Sequence, residues 1–227
     1  MSSGRNRFYK DVSVAANEHG HGIFLDGRPI RTPMGTAFAV PSKPLADAIA
    51  EEWRAQGEKI RPETMLLTKL VNTAIDRVTG NRVLAIGQVL AFAKSDLLCY
   101  RAEAPAELIR RQKAAWDPLL EWLRQSHGAA LTTGSGMAYV EQPEPALRAL
   151  ERAIEAHNDF VVAGLHTAAA LTGSIVLALA MAEGWLTGEE AFDLSHIDET
   201  FQAEKWGRDS EAERRADRKS TRLNSSH

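Results

Sequence analysis

The stretch GIFLDGRPIRTPMGTAFAVPSKPLADAIAEEW, residues 22–53, changes its hydrophobic period part-way along and thereby decides the fold. Up to Val40 the apolar residues come in short runs divided by turn pairs: Ile23, Phe24 and Leu25 precede Asp26-Gly27, and Ala37 to Val40 follow Met34-Gly35. An Asp-Gly pair between two such runs is a strong hairpin signal, because both residues tolerate the positive φ of a tight two-residue turn. Pro29 and Pro33 cannot donate to a sheet ladder, so Arg28 to Pro33 belongs at an edge or a bulge. Upstream, Val12 and Val14 alternate with polar neighbours in the same period of two. After Val40 the spacing becomes three and four. Ser42 suits an N-cap, Pro44 the first turn, and Leu45, Ile49 and Trp53 share one helical face that ends at Gly57.

Downstream the helical period persists. A helix after Pro62 carries Leu67, Leu70, Val71, Ala74, Ile75 and Val78, and a shorter one spans Arg82 to Lys94. A long helix from Pro105 carries Leu108, Gln112, Trp116, Leu119 and Leu123 to a glycine stop at Gly128, with a kink expected at Pro118. The glycine-rich segment after it fits a short hairpin around Thr133 to Gly136, and Pro143 and Pro145 open a helix to His157. Phe160 to Ala182 holds no charged residue and reads as one buried central helix. A membrane span is the competing reading at that length. Against it stand His166, Thr167, Thr172, Ser174, two glycines and the lack of a Lys/Arg asymmetry, so no membrane insertion is expected. Thr187-x-x-Glu190 is a capping box for a last helix bearing Ala191, Leu194, Ile197 and Phe201. The expected fold class is α+β: a small β-rich N-terminal domain (residues 1–41), a larger, mainly α-helical domain (42–207), and a charged tail (208–227) whose end reads as non-native.

With 227 residues, 44% of them apolar and 25% charged, the chain can bury a self-sufficient core. Its 27 basic and 30 acidic residues leave a formal charge of −3, which gives no global field for a polyanion, and nucleic acid is not an expected partner. The single cysteine, Cys99, allows neither an intramolecular disulfide nor a thiolate metal cluster. The first residues run into Asp11 without an apolar core, so no secretory signal is read there.

Candidates for chemistry are few. His19 and His21 around Gly20 supply at most two of the four ligands zinc prefers, and read as a turn. Thr133-Gly134-Ser135-Gly136 lacks the lysine and the spacing of a phosphate loop, and no GxSxG elbow occurs. Cys99 reads as a buried small hydrophobe and His166 as a satisfied core histidine. No catalytic residue, cofactor, metal or small-molecule substrate is therefore expected; the enzyme alternative would use His19, His21 or Cys99 in a cleft between the two domains. Glu51-Glu52 and Glu189-Glu190 read as solvated helix faces. Asp198 and Glu199 lie opposite Leu194, Ile197 and Phe201, with Gln202 four residues beyond Asp198, and that face reads equally as solvated surface or as partner contact. Trp53, Trp116 and Trp122 belong to helix cores, whereas Trp206 follows the last helix and is expected to be exposed or at a contact.

Taken together, Phe8-Tyr9-Lys10, Leu25 to Pro33, Glu52-Trp53, Met65 to Thr68, Asn72 to Asp76, Asp96 to Arg101, Trp116 to Trp122 and Lys205-Trp206-Gly207 resemble one family. It is the assembly chaperones of the ATP synthase F1 α subunit found in mitochondria and α-proteobacteria. The resemblance runs from about Phe8 to Arg215. It implies a β-rich N-terminal and a helical C-terminal domain, and a non-enzymatic chaperone that binds unassembled F1 α subunit and shields the surface later met by the β subunit. It places that contact at Asp198, Glu199, Gln202 and Trp206. A bacterial cytoplasmic location is expected, or the mitochondrial matrix for a processed chain. Family members continue after Trp-Gly with a longer helix rich in alanine and arginine, which here gives way to Asp217 to His227.

Overall fold

A computed structural model describes residues 5–207, so the charged tail read from 208 onward lies outside the described residues. Strand β1 (Val12–Asn17) pairs antiparallel with β2 (Gly20–Leu25) from Val12 opposite Leu25 to Asn17 opposite Gly20. The Asp26-Gly27 turn, with φ of 48° and 75°, folds β3 (Arg28–Pro29) back onto β2. Pro29 thus sits at a sheet edge, where its missing N–H costs nothing. The other end of β2 pairs with β4 (Ala39–Val40). Gly20 is required there: its φ is +126°, and a Cβ would stand 2.4 Å from the Val40 carbonyl oxygen. The turn itself is Glu18-His19, and Gly20, His21 and Gly22 lie in the strand rather than in a turn.

Helix α1 (Lys43–Arg54) covers this sheet. Its fully buried residues are Ala46, Ile49 and Ala50, while Leu45 and Trp53 pack at the margin. Ser42 is the N-cap residue but makes no side-chain cap bond, and Pro44 in the first turn has no N–H to offer. The first core joins Tyr9, Val12, Ile23, Leu25, Phe38 and Val40 to residues of α1 and to Met65 and Val71. It therefore draws on both sides of residue 41, since a four-stranded sheet needs a helix to cover its apolar face.

Glu52 corrects the expectation of a solvated pair: its carboxylate accepts the N–H of Leu67 (2.7 Å), and the N–H and Oγ1 of Thr68 (2.8 Å each). It thereby caps α2 (Leu66–Thr73) across the chain, satisfying donors that the first turn of a helix leaves orphaned. Beyond Thr73 the helix widens into a π-turn, Ala74–Val78. One extra residue per turn rotates the apolar stripe, so Val71 reaches the first core and Ala74 and Val78 the second.

The second core is helical. It is built by α3 (Arg82–Leu90), α4 (Ala106–His127), α5 (Glu144–Glu155), α6 (Asp159–Thr172), α7 (Ile175–Ala182) and α8 (Gly188–Ser195). Helix α4 runs unbroken through Pro118 to the left-handed Gly128. The segment after it forms no hairpin: β6 (Gly134–Ser135) pairs parallel with β5 (Tyr100–Arg101), because Gly136 at φ 74° sends its N–H to the Arg101 carbonyl. The uncharged stretch is not one helix either. Gly173 is left-handed (φ 70°) and the Ser174 side chain accepts the Leu177 N–H, so the stretch breaks into two short helices, α6 and α7. Ile175 to Ala180 are essentially fully buried, whereas His166 on α6 is exposed and rests edge-on against Phe92, correcting its expected core position. Among the described residues no helix is long and apolar enough to cross a membrane.

One carboxylate ties this break to the rest of the body. Asp96 is fully buried and accepts hydrogen bonds from Leu98 N (3.0 Å), Ser174 Oγ (2.8 Å) and Val176 N (3.2 Å). It serves a 3-10 turn at Leu97–Cys99 and the first turn of α7 at once.

Candidate functional site

The capping box at Thr187 and Glu190 starts α8 as expected, with both reciprocal bonds present. Helix α8 stops at His196, and a separate helix, α9, covers 197–207, so the expected single last helix is two. Trp206 is accordingly inside α9, not after it. The break places Ser195 Oγ on the Phe192 carbonyl (2.7 Å) and stacks the His196 ring on Phe192 at 4.0 Å.

The inner side of α9 is held by α4. Gln112, only 1% exposed, donates from Nε2 to Asp198 Oδ1 (2.8 Å) and accepts the Ala102 N–H on Oε1 (2.8 Å). Asp198 is thus half-buried and engaged within the chain, on the inner side of α9. Arg111 bridges Glu107 (3.0 Å) and Glu204 (2.9 Å) and lies over the buried Phe201 ring. The Glu204 bond pushes the Arg111 guanidinium above its ordinary range. Trp116 Nε1 donates to the Leu194 carbonyl (2.9 Å) and fixes the end of α8. Replacing Gln112 by leucine is expected to leave the Ala102 N–H and the Asp198 carboxylate without partners and to lower unfolding stability by about 2 kcal/mol in a urea titration.

Glu199, Gln202 and Trp206 point away from this contact. All three are exposed, and Trp206 is 76% exposed. Glu199, Gln202 and Trp206 follow at spacings of three and four, which sets them on one helix face. Residues 183–207 contain seven acids, Glu183, Glu189, Glu190, Asp193, Asp198, Glu199 and Glu204, against the single Lys205. The structure therefore gathers three of the four expected contact residues outward and turns the fourth, Asp198, inward.

The enzyme alternative finds little support in the same geometry. Cys99 is buried, and burial above all, then the Asp96 charge, pushes its thiol up to about 12. A thiol at that value carries almost no thiolate near neutrality. His19 lies exposed at the β1–β2 turn, whereas Cys99 is buried beside Leu98 in the 3-10 turn that precedes β5. Among the described residues no group of three His, Cys, Asp or Glu is placed to hold a metal ion.

The sequence profile of the ATP12 chaperone protein family matches residues 6–124. This chain belongs to the ATP12 chaperone family. Atp12 from Paracoccus denitrificans is 39% identical, covers 93% of this chain and 91% of its own, and superposes with a TM-score of 0.83. The Atu1473 protein of Agrobacterium tumefaciens is 45% identical over 93% of this chain and 80% of its own, with a TM-score of 0.84. The mitochondrial protein atp12 of Schizosaccharomyces pombe is 27% identical over 213 residues, 88% of this chain and 73% of that protein. The strand-rich head followed by a helical body is thus the family fold.

Proposed function

We propose that this ATP12 family chain is a non-enzymatic chaperone of ATP synthase assembly, with a strand-rich head (1–41) and a helical body (42–207) as its units. It binds unassembled F1-ATPase α subunit through the outward face of α9, prevents its aggregation, and yields it to the β subunit. The observation that carries the reading is an exposed tryptophan flanked by Glu199 and Gln202 on a helix whose inner side is locked to α4. Membership of a chaperone family supports the class of activity, and the sequence resemblance supplies the client.

A subunit awaiting its neighbours exposes an oligomer interface that aggregates readily. Covering it reversibly calls for an aromatic anchor within a polar rim, and Trp206 beside Glu199 and Gln202 has that composition. Neither nucleotide nor metal enters such a mechanism. The place of action is the bacterial cytoplasm, or the mitochondrial matrix for a processed chain.

Light scattering during refolding of isolated α subunit tests the proposal, with an equimolar amount of this protein and with β subunit as the control client. Suppression for α alone is the expected result. Equal suppression for both clients, or none, overturns it.

A further inference from the structure

Three of the segments that carry the family resemblance meet at one place beside the first core, far from α9 in the sequence. Phe8, Leu25, Asp26, the run from Arg28 to Arg31, and Trp53 line a cleft of about 520 Å3, a size typical of small binding pockets. Its walls are apolar: Leu25 and Ile30 belong to or pack on the first core, and Phe8 is 58% exposed above them. Two guanidiniums, Arg28 and Arg31, join that lining.

The polar groups of the cleft are unevenly matched. Arg31 donates one N–H to the Gly35 carbonyl (2.8 Å), and among the described residues the Arg28 guanidinium makes no hydrogen bond or ion pair. The indole N–H of Trp53 is buried with no partner, although the backbone of the same residue is fixed by the Tyr9 hydroxyl on its carbonyl (2.6 Å). A buried N–H without an acceptor costs about 1–3 kcal/mol. Asp26 is the one carboxylate in the lining, and its Oδ1 is taken by the backbone N–H groups of Lys10 (3.0 Å) and Asp11 (2.8 Å). Arg5 over the Phe8 ring and Arg7 over the Tyr9 ring add positive charge next to two aromatic residues of the lining.

We propose that this cleft binds a short acidic peptide segment of a protein partner, with an Asp or Glu carboxylate on Arg28 and Arg31, a backbone carbonyl on the Trp53 indole N–H, and a neighbouring apolar side chain against Phe8, Leu25 and Ile30. Two cationic donors, one neutral donor and an apolar wall together ask for a ligand that offers a carboxylate, a carbonyl and a hydrocarbon side chain within a few ångströms. A peptide does so, whereas a free carboxylate would answer the guanidiniums alone. The site stands whether or not α9 captures the α subunit.

The test uses the full chain labelled with 15N, following its five tryptophan indole N–H resonances, with Trp53 assigned through Trp53→Phe. The probe is an acetylated, amidated hexapeptide of alternating leucine and glutamate; its leucine–lysine counterpart and free glutarate are the comparison arms. The acidic peptide is expected to shift the Trp53 indole resonance in a saturable titration, and Arg28→Gln to weaken that binding about tenfold, the loss of one charge-assisted hydrogen bond. Unmoved positions of the other four indole resonances in Arg28→Gln show that the fold is intact. A Trp53 resonance that stays still, an equal response to the lysine peptide, or glutarate binding as tightly as the acidic peptide would each overturn the proposal.

Discussion

Raising the pH from about 4 to about 7 is expected to cost this protein about 3 kcal/mol of stability through Asp96 alone, because burial pushes that carboxyl from 3.8 up to about 6, a little over two units at about 1.4 kcal/mol each. The hydrogen bonds from Leu98, Val176 and Ser174 favour the carboxylate and offset part of the desolvation, but do not cancel it. Between the two values the unfolded chain has already released a proton that the folded chain still holds. The stabilisation is therefore complete below about 4 and is lost as pH rises through about 6. Exposed carboxylates held low act in the opposite sense: Glu121, drawn down to about 2 by Arg124, contributes above its unfolded value and loses that contribution as pH falls. The effect of Asp96 is isolated by comparison with Asp96→Asn. At pH 4 the variant is the less stable, since its amide nitrogen confronts a donor; by pH 7 it gains about 3 kcal/mol relative to the parent. Urea unfolding across this range measures the difference, and a difference that does not vary with pH would refute the assignment.

The second large effect concerns the client. If α9 carries the contact, Trp206→Ala is expected to weaken capture of isolated α subunit by about 30-fold, equivalent to about 2 kcal/mol for an aromatic anchor. Glu199→Lys is expected to weaken capture as well by inverting a rim charge, with a stronger dependence on salt. Both side chains are exposed, so thermal unfolding should be unchanged. Fluorescence anisotropy of labelled α subunit would give the affinities. Wild-type affinity in both folded variants would move the contact off α9.

Much of the fold was legible because local chemistry and global packing agree. The Asp26-Gly27 hairpin, the α1 face around Ile49, the Gly128 stop and the Thr187–Glu190 box all follow from residues within a few positions of one another. What escaped depends on distance or on a single break. The Gly173-Ser174 pair does carry a stop-and-start signal, but the uncharged run around it masks the signal in any reading by composition. Glu52 looks like half of a solvated pair until α2 brings its N-terminus to it, and Asp96 looks like any acid before an apolar run until Ser174 arrives from 78 residues away. At the candidate surface, Glu199 and Gln202 were readable as parts of a polar helix face and Trp206 as an exposed residue beyond it; that α9 carries all three on one face was not. The inward turn of Asp198 was not, since it depends on Gln112, an amide in a helix stripe that gives no sign of its partner.

The attachment of α9 also has a kinetic meaning. Of the described residues in that helix, Phe201 alone is buried; Ile197 packs part-buried against the second core, and polar contacts to Gln112 and Arg111 add to the grip. Such a helix opens at a free energy well below that of the body, where α7 is sealed on all sides. Its amide hydrogens should exchange ahead of those of α7, and a bound protein could be let go by fraying of α9 while the rest of the molecule stays folded.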